Sequence, residues 1–431
     1  MSHSMIDFLR RLPRTYHPGW GGPEYTDWQD EQMSWKTTCY VGDWSFLWDL
    51  QVDGPDALRL FRETSVNSYE KFPVGAGKHL IQCNERGKIN AEGVLLRLGE
   101  ESFATQSTTA LYTSFLISRG DYDVTVSRAR RFKFQVSGPN ALAVCEEATG
   151  ESLRDIKFMR FRPVSVAGVE VNALRMGMAG EVGFEFHGPF ERHDEVWNEI
   201  LRIGEKYGIR RLGRRTAMIN HLEAAFPTGN WHFLANFEDG FPEHCGENFD
   251  MYGLGIAMAG SLDSDDLDDY MLSPVSLGWS RSIKFDHDFV GRAALECEMA
   301  EPQRQRVTLE FDSRDVVEIY ASLFEEGEPH AYMDMPHPQR WVFHADAVRN
   351  EAGALVGMST PPGYSFYFRK MLSLGFVEPA YAVPGTEVTV LWGEPGTRQK
   401  LIRATVSPAP YKADKRRVEL TGVQPTLVTA L

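Results

Sequence analysis

The chain is poor in cysteine: Cys39, Cys83, Cys145, Cys245 and Cys297 are an odd number, far apart, with no C-x-x-C pair. That excludes a disulfide framework and a cysteine zinc site, and makes a reducing cytosol the expected compartment. No apolar run approaches the ~20 residues that span a bilayer, and the first fourteen residues lack the apolar core of a secretion signal. Basic excess is missing as well. Sixty Asp and Glu against 45 Lys and Arg leave a net charge of −15, which repels phosphate backbones and anionic lipid, so neither nucleic acid nor a membrane is an expected partner. The generic chemical signatures are absent too: no phosphate loop, no G-x-G-x-x-G after a strand, no G-x-S-x-G elbow, no H-E-x-x-H. His221, His232 and His244 match no common metal spacing. The aspartate-rich stretch 262–272 lacks the glycine and glutamate of a calcium loop. No metal is expected at either place.

What is present is an ordinary globular composition, 42% hydrophobic and 24% charged over 431 residues, enough for two to four domains. Residues 1–40 are expected as an N-terminal arm whose first thirty residues, rich in Pro, Gly and aromatics, form no regular element. From residue 41 to about 300 strands and helices alternate. A strand ends at Val52–Gly54 and a helix opened by Pro55 runs to Thr64, with Ala57, Leu58, Leu60 and Phe61 at helical spacing. Strands follow at 78–83 and 94–98 around the turn Asn84-Glu85-Arg86-Gly87. The pattern then recurs: Val136-Ser137-Gly138-Pro139-Asn140-Ala141-Leu142 matches Val52-Asp53-Gly54-Pro55-Asp56-Ala57-Leu58, which predicts two related strand–Gly-Pro–helix modules. Further strands are predicted at 164–174 (around a turn at Ala167-Gly168) and 183–186, and an amphipathic helix at 191–207. Residues 301–431 carry strand-like runs at 307–311, 388–392 and 402–406 between Gly/Pro turns and read as an all-β domain.

Four segments occur in a telling order: Asp43-Trp44-Ser45 leading to Gly54-Pro55-Asp56-Ala57-Leu58; Asn84-Glu85-Arg86-Gly87-Lys88-Ile89; Gly180-Glu181-Val182-Gly183-Phe184-Glu185; and Ile283-Lys284-Phe285 leading to Val290-Gly291-Arg292. Together they resemble the glycine-cleavage aminomethyltransferase (T-protein) superfamily over nearly the whole chain. Pro23-Glu24-Tyr25-Thr26-Asp27-Trp28, Arg175-Met176-Gly177-Met178-Ala179-Gly180, Ile319-Tyr320-Ala321-Ser322, Gly363-Tyr364-Ser365 and Val390-Leu391-Trp392-Gly393-Glu394 are more specifically similar to its tetrahydrofolate-dependent aryl O-demethylases, which act on vanillate, syringate and 3-O-methylgallate. The resemblance implies an α+β fold: a ring of domains with two related α/β folate-binding modules and a C-terminal β-barrel. It implies transfer of a methyl group from a methoxylated aromatic compound to N5 of tetrahydrofolate, without metal or cobalamin. Donors with N-methyl, S-methyl or aminomethyl groups, or a non-catalytic folate-binding role, are the alternatives.

By the same resemblance Glu185 grips the pterin, because a carboxylate accepts parallel hydrogen bonds from the 2-amino group and ring N–H. Gln135, Phe226 and Arg175 are further folate contacts, and Glu92 falls at or beside the superfamily's active-site acid. Trp44, Phe46 and Tyr112, with Tyr16 and His17, are expected around the methyl donor. Three groups of the demethylase pattern are replaced: its tyrosine by Ala217, its carboxylate-binding arginine by Thr108 or a neighbour, and a histidine by Phe46. Arg119, Arg128 or Arg130 could take over the carboxylate. His221, one helical turn from Ala217, is the expected proton donor to the leaving oxygen, with Tyr16 or His17 as substitutes. The sequence does not indicate an oligomeric state.

Overall fold

The computed structural model describes residues 5–16, 19, 21–235, 238–246 and 256–425. The two Gly-Pro repeats become two layered modules. In the first, β2 (Asp49–Asp53), β3 (Gly77–Cys83), β4 (Ile89–Arg97), β5 (Ser102–Gln106) and β6 (Thr125–Ser127) form an antiparallel sheet in the order β3-β4-β5-β2-β6. The helices of this module are α3 (Ala57–Thr64) and α4 (Thr108–Arg119). In the second, β1 (Cys39–Asp43), β7 (Arg131–Ser137), β8 (Phe161–Val166), β9 (Val169–Arg175), β10 (Gly183–Pro189) and β11 (Ile209–Arg211) lie in the order β11-β1-β7-β10-β9-β8. Against them pack α5 (Ala141–Thr149) and α6 (His193–Gly204), the latter burying Val196, Ile200 and Ile203 as its spacing predicted.

The repeat is conformational as well as sequential. Gly54 and Gly138 have φ of 141° and 135°, and the residues before each helix, Asp56 and Asn140, have φ,ψ of −91°, 0° and −94°, 0°. Each glycine accepts the N–H of the helix's first residue, Ala57 or Ala141. Each also lies on another segment's backbone. A Cβ on Gly54 would come within 2.5 Å of the Asp123 carbonyl, and one on Gly138 within 2.7 Å of the Thr38 carbonyl. Only glycine supplies that φ with no Cβ in the way. The modules are joined through Lys133 of β7, whose buried ammonium donates to Asp49 of β2 at 2.8 Å and to the Leu47 carbonyl at 3.0 Å.

β12 (Ala257–Ala259) pairs in parallel with β14 (Val342–His344). Beyond residue 300, β13 (Gln305–Phe311), β15 (Asp346–Arg349), β16 (Leu355–Ser359), β18 (Lys370–Val377), β19 (Glu387–Trp392) and β20 (Lys400–Ser407) pair in the order β13-β20-β19-β15-β16-β18, and β18 pairs back to β13. The six strands thus close into a barrel, with Gly363–Ser365 (β17) added to β18. The α-helix Ser313–Ala321 interrupts the all-β reading, started by Asp312 accepting from the N–H groups of Arg314 and Asp315.

The arm also departs from expectation. Met5–Arg11 is a helix (α1) that buries Ile6 and Leu9, and Arg10 anchors it on the carbonyls of Gly260 and Leu262. Trp28–Thr37 is another (α2), capped by Asp27. The two helices gain order from what they pack against, which their own periodicity does not display. At the other end, residues 411–423 strap back over the second module. Backbone N–H groups of Tyr411 and Lys415 donate to the carbonyls of Glu223 and Gly180, Lys412 binds Glu181, and Arg154 and Arg175 donate to the carbonyls of Leu420 and Val418.

Replacing either repeat glycine should be costly. Gly54→Ala and Gly138→Ala are each expected to lose about 2–3 kcal/mol through positive-φ strain and backbone contact, read as a lowered denaturation midpoint. An alanine at exposed Gly353, where a Cβ meets nothing within 4 Å, should lose less.

Candidate active site

Alternation along β10 decides which side chains reach the interior. Phe184 and Phe186 enter the core beneath α5 and α6, so Glu185 and His187 share the opposite face. Glu185 borders a chamber where both modules meet α7 (Arg214–Glu223) and the Thr228–Asn230 loop. Trp44, Phe46 and Phe226 supply aromatic walls, and Met176, Met178 and Met218 soft apolar ones. The ionisable lining residues are Glu185, Glu92, His79 and His221; none of the lining residues described is Lys or Arg. The residues outside the description contain no Lys or Arg either.

The Glu185 carboxylate is buried yet held ionised. Burial pushes its pKa up, but the hydrogen bond and charge of His187 and the amides of Gln135 and Gln106 outweigh that, and the net shift is downward. His187 Nε2–H donates to Oε1 at 2.6 Å, and Gln135 Nε2–H donates to Oε2 at 3.3 Å. A carboxylate offers about four acceptor positions, so these two bonds leave capacity for donors on a ligand.

Behind the anchor runs a one-directional chain of donors. Gln135 must turn its N–H to the anion, so its Oε1 faces Tyr40, whose hydroxyl donates at 2.6 Å, and the Met178 N–H, which donates at 3.4 Å. Asn220 Nδ2–H then donates to the Tyr40 oxygen at 3.4 Å, and its Oδ1 accepts from His221 Nδ1–H at 2.6 Å. The Ala217 carbonyl, 3.1 Å from the same Nδ1, also requires the proton there. Every member is buried. His221 is therefore the tautomer whose Nε2 carries a lone pair. Burial pushes its pKa down to about 4, against the pull of the Ala217 carbonyl. The ring is neutral near pH 7 and leaves Nε2 as an acceptor position, where the sequence suggested a proton donor.

Opposite, on β4, Glu92 Oε2 accepts from His79 Nε2 at 3.0 Å, and the His79 ring meets Trp279 edge to face at 4.5 Å between centroids. Thr108 lines the chamber and donates to the Glu92 carbonyl. Ser107 beside it has φ of 69° and Asn230 has 59°, positive values rare outside glycine and concentrated at functional sites.

The structure thus brings Trp44, Phe46, Glu92, Glu185, His221 and Phe226 to one chamber, with Gln135 directly behind Glu185. It does not bring the others there. Tyr112 is buried in a separate cavity, donating to Glu238 and accepting from Asn90. Arg175 is committed to the carbonyls of Ile156, Arg416 and Val418. Tyr16 is exposed between Arg214 and Arg340, and His17 lies outside the described residues. Ala217 faces a neighbouring cleft lined by Trp44, His193 and Trp197. Arg119 donates to the Asp239 carbonyl, Arg128 to Ser114, and Arg130 covers the Phe190 ring. His187, two residues past Glu185, was legible from strand alternation. Tyr40 carries no local signal, since its partners Gln135 and Asn220 lie 95 and 180 residues away.

Residues 10–231 match the family described as GCVT N-terminal domain. Over 95% of its length the chain is 33% identical to a syringate O-demethylase of Sphingobium sp. (94% of that protein), and over 90% it is 34% identical to a sesamin methylene transferase of Sinomonas sp. (89% of that protein). The fold is similar to that of the glycine cleavage system aminomethyltransferase T from Bartonella henselae, with a TM-score of 0.66 over 94% of this chain and 92% of that one, at 19% identity. Among the described residues no helix is long and apolar enough to cross a membrane.

The tautomer of His221 is directly measurable. Nitrogen-15 NMR should show the proton on Nδ1 and no titration between pH 8 and about pH 5. Unfolded His221 takes its proton near 6.5 and folded His221 near 4, so the unfolded state binds more protons between those values. The residue's contribution to stability is complete above 6.5 and falls as the pH drops towards 4, which acid titration of the denaturation midpoint in a His221→Gln variant should flatten.

Proposed function

Because the chain belongs to the GCVT family of aminomethyltransferase-like proteins, we propose that it is a tetrahydrofolate-dependent O-demethylase, moving a methyl group from a methoxylated aromatic compound to N5 of tetrahydrofolate. The observation that carries this reading is a buried, ionised carboxylate, Glu185, bordering an aromatic-walled chamber with acceptor positions to spare. A relative 33% identical over 95% of the chain is a syringate O-demethylase. The donor set fits a reduced pterin, whose 2-amino group and ring N–H are two adjacent donors. When bound, tetrahydrofolate supplies the nitrogen that receives the methyl group.

The chain's own residues do the rest. Glu185 accepts from the pterin edge and fixes the ring plane, with Gln135 holding the carboxylate from behind. Phe226 and the methionines fill the apolar sides and exclude water. Methyl transfer needs nitrogen, carbon and leaving oxygen in line, so this positioning supplies much of the rate. Glu92, with His79 behind it, takes up the proton released as the N–C bond forms and returns it to the departing oxygen. His221 accepts from a hydrogen-bond donor on the aromatic ring. With two carboxylates and no Lys or Arg among the lining residues, a carboxylate on the donor would meet like charge without a counter-ion, so the donor is an uncharged methoxyarene. The cytoplasm, breakdown of lignin-derived aromatics, and the division into an arm (1–40), a folate-binding region (41–300) and a barrel domain (301–431) belong to the same proposal.

A methylene donor is the second reading, since a relative 34% identical is a sesamin methylene transferase and the same uncharged walls suit such a compound. One incubation separates the readings. A neutral methoxyphenol with tetrahydrofolate should give the demethylated phenol and 5-methyltetrahydrofolate, with kcat/KM at least ~10-fold above that of the matching benzoate. 5,10-Methylenetetrahydrofolate from a methylenedioxyarene would support the second reading, and folate binding without turnover of any donor a regulatory role. Glu185→Ala should weaken tetrahydrofolate binding ~10- to 100-fold; unchanged affinity would remove Glu185 from the site.

A further inference from the structure

His187 has no role in the chemistry above, yet it is the group nearest the anchor, 2.6 Å from Glu185 Oε1, and buried. It also borders a second space. This is an outer cavity that His187 lines together with Arg130, Arg131, Glu170, Asn172 and Glu191. Resting on the reading of Glu185 as pterin anchor, we propose that His187 is a positioning residue, whose ring N–H holds the buried carboxylate turned to the chamber and in its acceptor form.

The accounting of donors supports this. Oε2 receives Gln135, whose orientation is fixed by Tyr40 and the Met178 N–H. Oε1 receives His187, and Gln106 is a further amide donor beside the carboxylate. Without that donor a buried carboxylate is better off protonated, and a protonated acid offers the pterin edge one acceptor fewer and a competing O–H. The charged and titratable groups around the ring are few. Lys133 and Asn172 stand opposite His187 on β7 and β9, and Lys133 is bound to Asp49 and to the carbonyls of Leu47 and Arg131. Across the outer cavity Arg131 donates to Gln51 and Arg130 covers Phe190, while Glu170 and Glu191 complete the rim. Glu185 is thus the acid that His187 faces inward.

The test is tetrahydrofolate affinity of the full chain between pH 5.5 and 8.5. Wild type should bind with a nearly flat profile. His187→Leu removes the donor, so affinity at pH 7 should fall about ten- to hundredfold and climb with pH as Glu185 has to ionise unaided. His187→Gln, whose amide N–H replaces Nε2–H, should restore the flat profile. His187→Asn keeps polarity but is too short to reach Oε1, and should behave as the leucine variant if that one fails to fold. A leucine or asparagine variant with wild-type affinity and a flat profile would overturn the role of His187. Wild type that does not bind tetrahydrofolate, or Glu185→Ala with unchanged affinity, would instead overturn the anchor itself.

Discussion

A negative charge kept in the interior governs this molecule. Burying a carboxylate costs several kcal/mol even after relaxation, whereas each hydrogen bond to a charged group returns ~1.5–3 kcal/mol. One donor would not offset the cost at Glu185; His187 and Gln135, with Gln106 close by, do, as its lowered pKa attests. Those donors come from β10, β7 and the end of β5, which belong to different modules. The anchor therefore exists only where the two sheets are held in register, and the buried Lys133–Asp49 pair between β7 and β2, the Arg131–Gln51 bond and the backbone bonds of Gly75 and Gly77 to Phe161 and Met159 are among the contacts that hold them.

The same charge sets the hydrogen positions of everything behind it. An anion cannot donate, so Gln135, Tyr40, Asn220 and His221 are each left one arrangement of donor and acceptor. At the far end the Ala217 carbonyl, also unable to donate, demands the same proton placement. Two acceptors about a chamber apart agree, and the imidazole between them loses its usual freedom to choose a tautomer. A polar cluster satisfied in this way is rigid, and rigidity suits a transfer whose geometry is collinear.

Sequence showed much of this and failed where contacts are remote. The glycine of each Gly-Pro repeat announced its turn, and both turns share their dihedrals. Strand alternation sets Glu185 on the face opposite Phe184 and Phe186, and the order of short motifs along the chain supplied its meaning. Arg175 misled because a motif arginine beside the chamber serves the strap over the module instead. Tyr112 misled because α4 turns it towards Glu238. The helices at Met5–Arg11 and Trp28–Thr37 were hidden in a stretch of Pro, Gly and rings; their order comes from surfaces contributed by residues 260–262, 210 and 364–366.

The strap formed by residues 411–423 has a consequence for biosynthesis. It clasps the carbonyls of Gly180 and Glu223, which border the loop carrying Met178 and the helix carrying His221. A nascent polypeptide can lay down both sheets while still attached to the ribosome, but those two pieces stay unclasped until codon 415 and beyond have been read. Competence for ligand capture thus waits on a segment made long after the second sheet is complete.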